Sequence, residues 1–187
     1  MLRRCAWIAI AAVSLASQNP VGLKWLSKSY SATLTSNRAE VVGHCGDKSF
    51  KALVEIMHAS GSNETFTLNI RIPDASKFKL LNLDEFAGPG GPAGEKKVLT
   101  IKSASMKEGF RFFGEGGFTT DYSQDEFTID LATPRDKHKP LFQLLSKALG
   151  NSEEWTIRIV SPKNPNQFVL IPFSFAGTQD YLKSHLR

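Results

Sequence analysis

Few side chains in this sequence stand where chemistry would need them, and each such group also has a plain structural use. The stretch FAGPGGPAGEKK, residues 86–97, sets Gly88, Gly90 and Ala93 at the G-x-G-x-x-A spacing of a dinucleotide-binding turn. That turn works when its glycines follow a strand and open a helix, so that backbone N–H groups and the helix N-terminus meet a pyrophosphate. Here Pro89 and Pro92 remove two of the donors. The segment that follows, KVLTIKSAS, reads as a strand, and no Lys-Ser or Lys-Thr pair completes a P-loop at that place. The expectation is a solvent loop that binds no phosphate.

The acidic run DYSQDEFTID offers Asp121, Ser123 and Asp125 at the spacing of a calcium loop, but Glu126 replaces the sharp-turn glycine and Ala132 stands at the twelfth position. A hairpin with Glu126 and Asp130 as solvated charges on its wet face is the expected reading. Cys45, beside His44 and Asp47, invites reading as a nucleophile. Neighbours on a strand point to opposite faces, so His44 is badly placed to activate it, and a structural thiol is expected. Only His58, His138 or His185, brought close by folding, could serve instead. The sequence contains no G-x-S-x-G, H-E-x-x-H or C-x-x-C motif. No catalytic residue, cofactor or metal ligand is assigned, and the chain is read as non-enzymatic.

The run EGFRFFGEGGF resembles the aromatic strand on which RNA-recognition and cold-shock domains stack bases. Phe110 and Phe112 share one face of such a strand, Arg111 and Phe113 the other, with Lys102 and Lys107 nearby. Glu108 and Glu115 would repel phosphates. Core packing is the first reading of these rings; single-stranded RNA or DNA binding through Phe110, Arg111, Phe112, Lys102 and Lys107 is the alternative. Asn63-Glu64-Thr65 is a glycosylation sequon, with meaning only in a eukaryotic secretory pathway.

The elements that must position these groups are mostly strands. From Tyr30 onward, short β-branched and aromatic runs alternate with Gly, Asn, Asp and Ser: YSATLT, AEVVGH, FKALVEIMH, ETFTLNIRI, KVLTIKSAS, GFRFFG, FTTDY and EFTIDL. Phe66, Leu68, Ile70 and Ile72 share one face, as do Phe127, Ile129 and Leu131. One buried and one wet face imply a mainly antiparallel sheet. Thr133 and Pro134 then suggest a helix cap, with Pro140 shifting the start to Lys139, and Leu141, Leu144, Leu145 and Leu149 recur at helical spacing before Gly150. WTIRIV and QFVLIPFSF read as a hairpin around SPKNPN, and a closing helix is expected from about Thr178 to Leu186.

The chain has 187 residues, 41% of them apolar and 22% charged, with a net charge of +5. That is the composition of one globular domain. The opening MLRRCAWIAIAAVSLAS has a basic end, an apolar run and small residues, the layout of a secretory signal peptide cleaved after Ala16. The apolar run is too short to span a membrane. The competing reading is an organelle transit peptide over residues 1–30, since no acid precedes Glu40 and Ser is frequent. Removing Arg3 and Arg4 from the 23 basic residues leaves 21 against 18 acidic ones, no mark of a dedicated nucleic-acid binder. Cys45 is then the one cysteine left, so no internal disulfide forms.

From about Glu126 to Leu186, the order strand, leucine-rich helix, short strand, hairpin, then LIPFSFAGTQDYL into a closing helix resembles small exported bacterial proteins of the invasion-associated locus B type. The resemblance implies a periplasmic or envelope protein without known catalysis and carries over no site residue. The expectation is thus a signal peptide (1–16), a flexible mature N-terminus (17–30) and one β-rich domain (31–187), an antiparallel sandwich or strongly curved sheet with two helices packed on it. Its partner would be another protein or an envelope component.

Overall fold

Period-two alternation does most of the building. The structure, a computed structural model, describes residues 23–62, 64–75, 98–113, 119–123, 126–134, 139–161 and 164–186. Its strands are β1 (Leu26–Ser29), β2 (Leu34–Cys45), β3 (Lys48–Ala59), β4 (Thr65–Ile72), β5 (Val98–Ser103), β6 (Phe110–Phe113), β7 (Thr119–Ser123), β8 (Glu126–Pro134), β9 (Glu154–Val160) and β10 (Phe168–Ser174). Helix α1 (Lys139–Ala148) follows β8 and helix α2 (Gln179–His185) follows β10. The strands form one sheet in the order β6-β5-β9-β10-β2-β3-β4-β8-β7, with β1 also on β2 and every pairing antiparallel.

This is a β-rich α+β fold, and the sheet curls into a half-barrel. The strongly curved sheet, not the sandwich, is the form built. Val54 and Ile56 on β3, Leu68 and Ile70 on β4, and Ile129 on β8 are wholly buried on the inner, concave face. Trp155, Phe173 and Phe175 fill the same core from the other limb. Each such side chain contributes roughly 1.5–3 kcal/mol when removed from water.

Two helices cover the concavity. Leu141, Leu144, Leu145 and Ala148 of α1 are buried at helical spacing, and Phe142 meets Phe66 of β4 edge-on with ring centroids 6.2 Å apart. Pro140 occupies the first turn, where its missing N–H costs nothing. The cap expected at Thr133 and Pro134 is corrected: both continue β8, paired with Phe66 and Thr65. The pull of β4 on the alternating Phe127–Leu131 strand carries the extended backbone past the cap signal.

A second correction concerns the start of the domain. Residues before Ser31 are already part of the sheet, since β1 pairs with β2 from Leu26↔Arg38 to Ser29↔Thr35. Just before it, Trp25 stacks on Phe175, with centroids 6.4 Å apart and planes 7° apart, and its indole N–H donates to the Ser174 carbonyl at 3.0 Å. The strand expected over YSATLT shrinks to Leu34 and Thr35 and runs on into AEVVGH as one strand, β2, with Asn37 at the apparent break bonded to Ser27 of β1. The tight turn between β2 and β3 starts at Gly46, whose φ of 60° suits a glycine-first hairpin turn.

Candidate functional site

The outer face of the sheet divides into two halves by charge. Over β2, β3 and β4, Lys51 and Arg71 are paired with acids, while Arg38 makes no ion pair among the described residues. Lys51 lies 3.1 Å from Glu40, and Arg71 donates to Glu55 at 2.6 Å. Glu55 is 1% exposed although it points away from the core, because Tyr30 and Ser36 close over it and donate to its Oε1 at 3.0 and 2.7 Å. Burial works to raise its pKa, but the hydrogen bonds from Ser36, Arg71 and Tyr30 and the charge of Arg71 prevail, so the carboxyl stays below the ordinary range.

The other half is different. A groove of about 400 Å³ runs over β5, β6 and β9, with Lys102, Lys107, Arg111 and Arg158 around it and, among the described residues, Glu108 as the one acid in its lining. Strand alternation puts these cations there: Thr100 pairs with Arg111 on one side and Arg158 on the other, so all three share the outer face. Lys102 follows two residues along β5, and Lys107 overhangs from the β5–β6 turn. Among the described residues none of the four makes an ion pair. Arg158 is instead held over the Phe168 ring of β10, 4.5 Å from its centroid, a cation–π contact.

Gly109 closes the groove's floor. A Cβ there would come within 2.7 Å of Thr100 Cγ2 and 2.8 Å of the Ile101 carbonyl oxygen, so only glycine lets the turn lie this close to β5. Thr100 and Thr156 add hydroxyls and Leu170 an apolar patch to the lining. The arrangement can hold negative charge and hydroxylated groups.

The structure separates the aromatic-strand residues. Lys102, Lys107 and Arg111 gather in the groove, joined by Arg158, which sequence reading did not single out. Phe110 and Phe112 point the other way: Phe112 is 4% exposed, and Phe110 packs against the same core. The ring platform of the nucleic-acid reading is therefore spent on the interior.

The remaining candidates resolve as structure. Cys45 closes the β2–β3 hairpin opposite Lys48 and packs on the core, and burial, then Asp47, push its thiol pKa up. His58 and His185 lie together, ring centroids 4.6 Å apart, at the far end of β3, about 30 Å from Cys45 at the strand's rise per residue. There His58 contacts Glu64 at 2.8 Å, and the Tyr181 hydroxyl donates to the Thr35 carbonyl at 3.0 Å. This cluster docks α2 onto β2 and β3. Asp121, Ser123 and Glu126 belong to the β7–β8 hairpin, while Asp125, Asn63, His138 and the glycine-rich stretch 86–97 lie outside the described residues. Val98, just after that stretch, opens a strand and not a helix. Among the described residues no group of three His, Cys, Asp or Glu could hold a metal ion, and no helix is long and apolar enough to cross a membrane.

No family model matches the chain, and no curated protein or solved structure shows significant similarity to it.

Proposed function

We propose that this protein is a non-enzymatic binding module of the periplasm or cell envelope, and that the groove over β5, β6 and β9 holds an anionic ligand. The observation that carries the reading is the clustering of charge: four cations that make no ion pair among the described residues line one groove, while Lys51 and Arg71 on the same sheet face are paired with acids. Unpaired cations in a concave, partly walled site attract anions more strongly than the same charges spread over a convex surface.

Export is supported by the N-terminal pattern together with the packing of Trp25. Cleavage near Tyr30 would remove β1 and the indole that stacks on Phe175, whereas cleavage after Ala16 leaves both. N-terminal sequencing of the native protein tests this part; a start near Ser31 would refute it.

The anion reading is tested by titrating the protein with inorganic phosphate at low ionic strength, following amide chemical shifts. Shifts should concentrate on β5, β6 and β9, fade as salt rises, and shrink in Lys102→Gln combined with Arg158→Gln. Shifts unaffected by that double substitution would overturn it. A filter-binding titration with single-stranded oligonucleotide decides the alternative. With Phe112 buried, micromolar binding that Phe110→Ala with Phe112→Ala abolishes without unfolding the protein would sink the envelope-module reading in favour of the nucleic-acid one.

A further inference from the structure

We infer that the ligand of this groove carries two anionic groups about 10 Å apart, joined by a spacer that can meet the Thr100 hydroxyl, and not one compact anion. The inference rests on the anion-binding reading and deepens it. Its starting point is the cross-strand row Arg111–Thr100–Arg158. Neighbouring strands lie about 4.8 Å apart, so the two arginines leave the backbone about 9.6 Å from each other.

Long side chains could still converge on a single anion placed above Thr100. Arg158 does not. Its guanidinium sits over Phe168, and β10 lies on the side of β9 away from β5, so the contact draws the head away from Arg111. Meeting Arg111 over one phosphate would mean giving up that cation–π contact. The two positive centres are thereby held at opposite ends of the groove.

Between them the lining changes character. Thr100 stands between them on β5 and offers a hydroxyl, Lys102 and Thr156 form the next row along the strands, Glu108 lies at the β5–β6 turn, and Leu170 is on β10 beyond Arg158. The Thr100 hydroxyl suits the uncharged link of a ligand, and Lys102 and Lys107 add positive charge beside it. The geometry therefore points to a small bis-phosphate or similar double-ended anion, with Arg111 at one end and Arg158 at the other.

The test compares a single phosphonate with two bisphosphonates that carry the same two groups over different spans. Methylphosphonate, methylene bisphosphonate and hexane bisphosphonate are titrated against the full chain at low ionic strength by calorimetry and by amide shifts. Hexane bisphosphonate, whose ends reach both arginines, should bind about tenfold more tightly than methylene bisphosphonate, because its second end acts at high effective concentration. Arg111→Gln or Arg158→Gln should each remove that advantage. Phe168→Leu, which releases Arg158 from its ring, should narrow the ratio between the two bisphosphonates.

Equal affinity for the two bisphosphonates would overturn the two-centre inference while leaving an anion site in place. A span preference that survives both arginine substitutions would overturn it as well. Failure of all three probes to bind would remove the anion reading itself.

Discussion

Replacing Glu55 with Gln tests how the outer face holds a buried charge. Both hydroxyl donors, Tyr30 and Ser36, use Oε1, whereas Arg71 uses Oε2 alone. A glutamine can keep its carbonyl oxygen where Oε1 was and retain both hydroxyl bonds. Its amide nitrogen must then face the Arg71 guanidinium, donor against donor. What is lost is one charge-assisted hydrogen bond, about 1.5–3 kcal/mol. The Arg71 side chain is 31% exposed and can turn to water, which keeps the cost below the 3–5 kcal/mol of breaking a fully buried pair. The expected loss is thus about 2 kcal/mol, or about 4–8 °C in Tm for a domain of this size.

The pH dependence gives a second readout. Glu55 titrates lower in the folded protein than in the unfolded chain, so its contribution is fully present above the unfolded carboxylate value of about 4.3 and disappears as pH falls through the lower folded value. Thermal melts of both proteins from neutral pH into that acid window should converge, the parent losing its advantage as Glu55 protonates. A Gln variant that melts within about 1 °C of the parent near pH 7, or a gap between the two that stays constant down through the acid window, would refute the reasoning.

Other perturbations follow from the same geometry. Trp25→Ala removes the stack on Phe175 and the bond to Ser174 and should cost about 2–4 kcal/mol in urea denaturation; a chain beginning at Ser31 should lose at least as much. Gly109→Ala forces the β5–β6 turn off Thr100 and Ile101, so it should destabilise by about 1–3 kcal/mol and weaken phosphate binding in the same titration. Leu144→Ala empties a fully buried position of α1 and should cost about 2–5 kcal/mol. The Cys45 thiol, raised by burial and by Asp47, should alkylate slowly near neutral pH, with Asp47→Asn speeding the reaction.

The sheet was readable wherever one face alternates cleanly, as in Phe66–Ile72 and Phe127–Leu131, because burial on one side imposes period two on the sequence. β1 was not: LSKS is exposed throughout and takes its strand form from hydrogen bonds to β2, which leave no hydrophobic trace. The same holds for the middle of β2, where Asn37 looks like a break until Ser27 is brought beside it. In the groove, Lys102, Lys107 and Arg111 were found through nearness in sequence to an aromatic run. The rings themselves share the parity of Leu99 and Ile101 and so turn to the core. Arg158 belongs to a distant strand, and only the pairing Thr100↔Arg158 joins it to the others. Clustering within one strand is visible in a sequence; clustering across a non-local register is not.

The way β1 and β10 share β2 bears on the order in which the chain can assemble. β3 takes one edge of β2 along its length, and β1 and β10 divide the other edge between them. The β1–β2 pairing is local and can form as soon as both strands exist. The clasp between Trp25 and Ser174–Phe175 joins residues 149 positions apart, and cannot close until β10 has been made and has found β9. Long-range closures of this kind are slow, since the loop entropy is spent before the contact returns anything. A growing chain therefore carries β1 as part of an unfastened hairpin, and Trp25 locks onto Ser174 and Phe175 only after β10 has emerged.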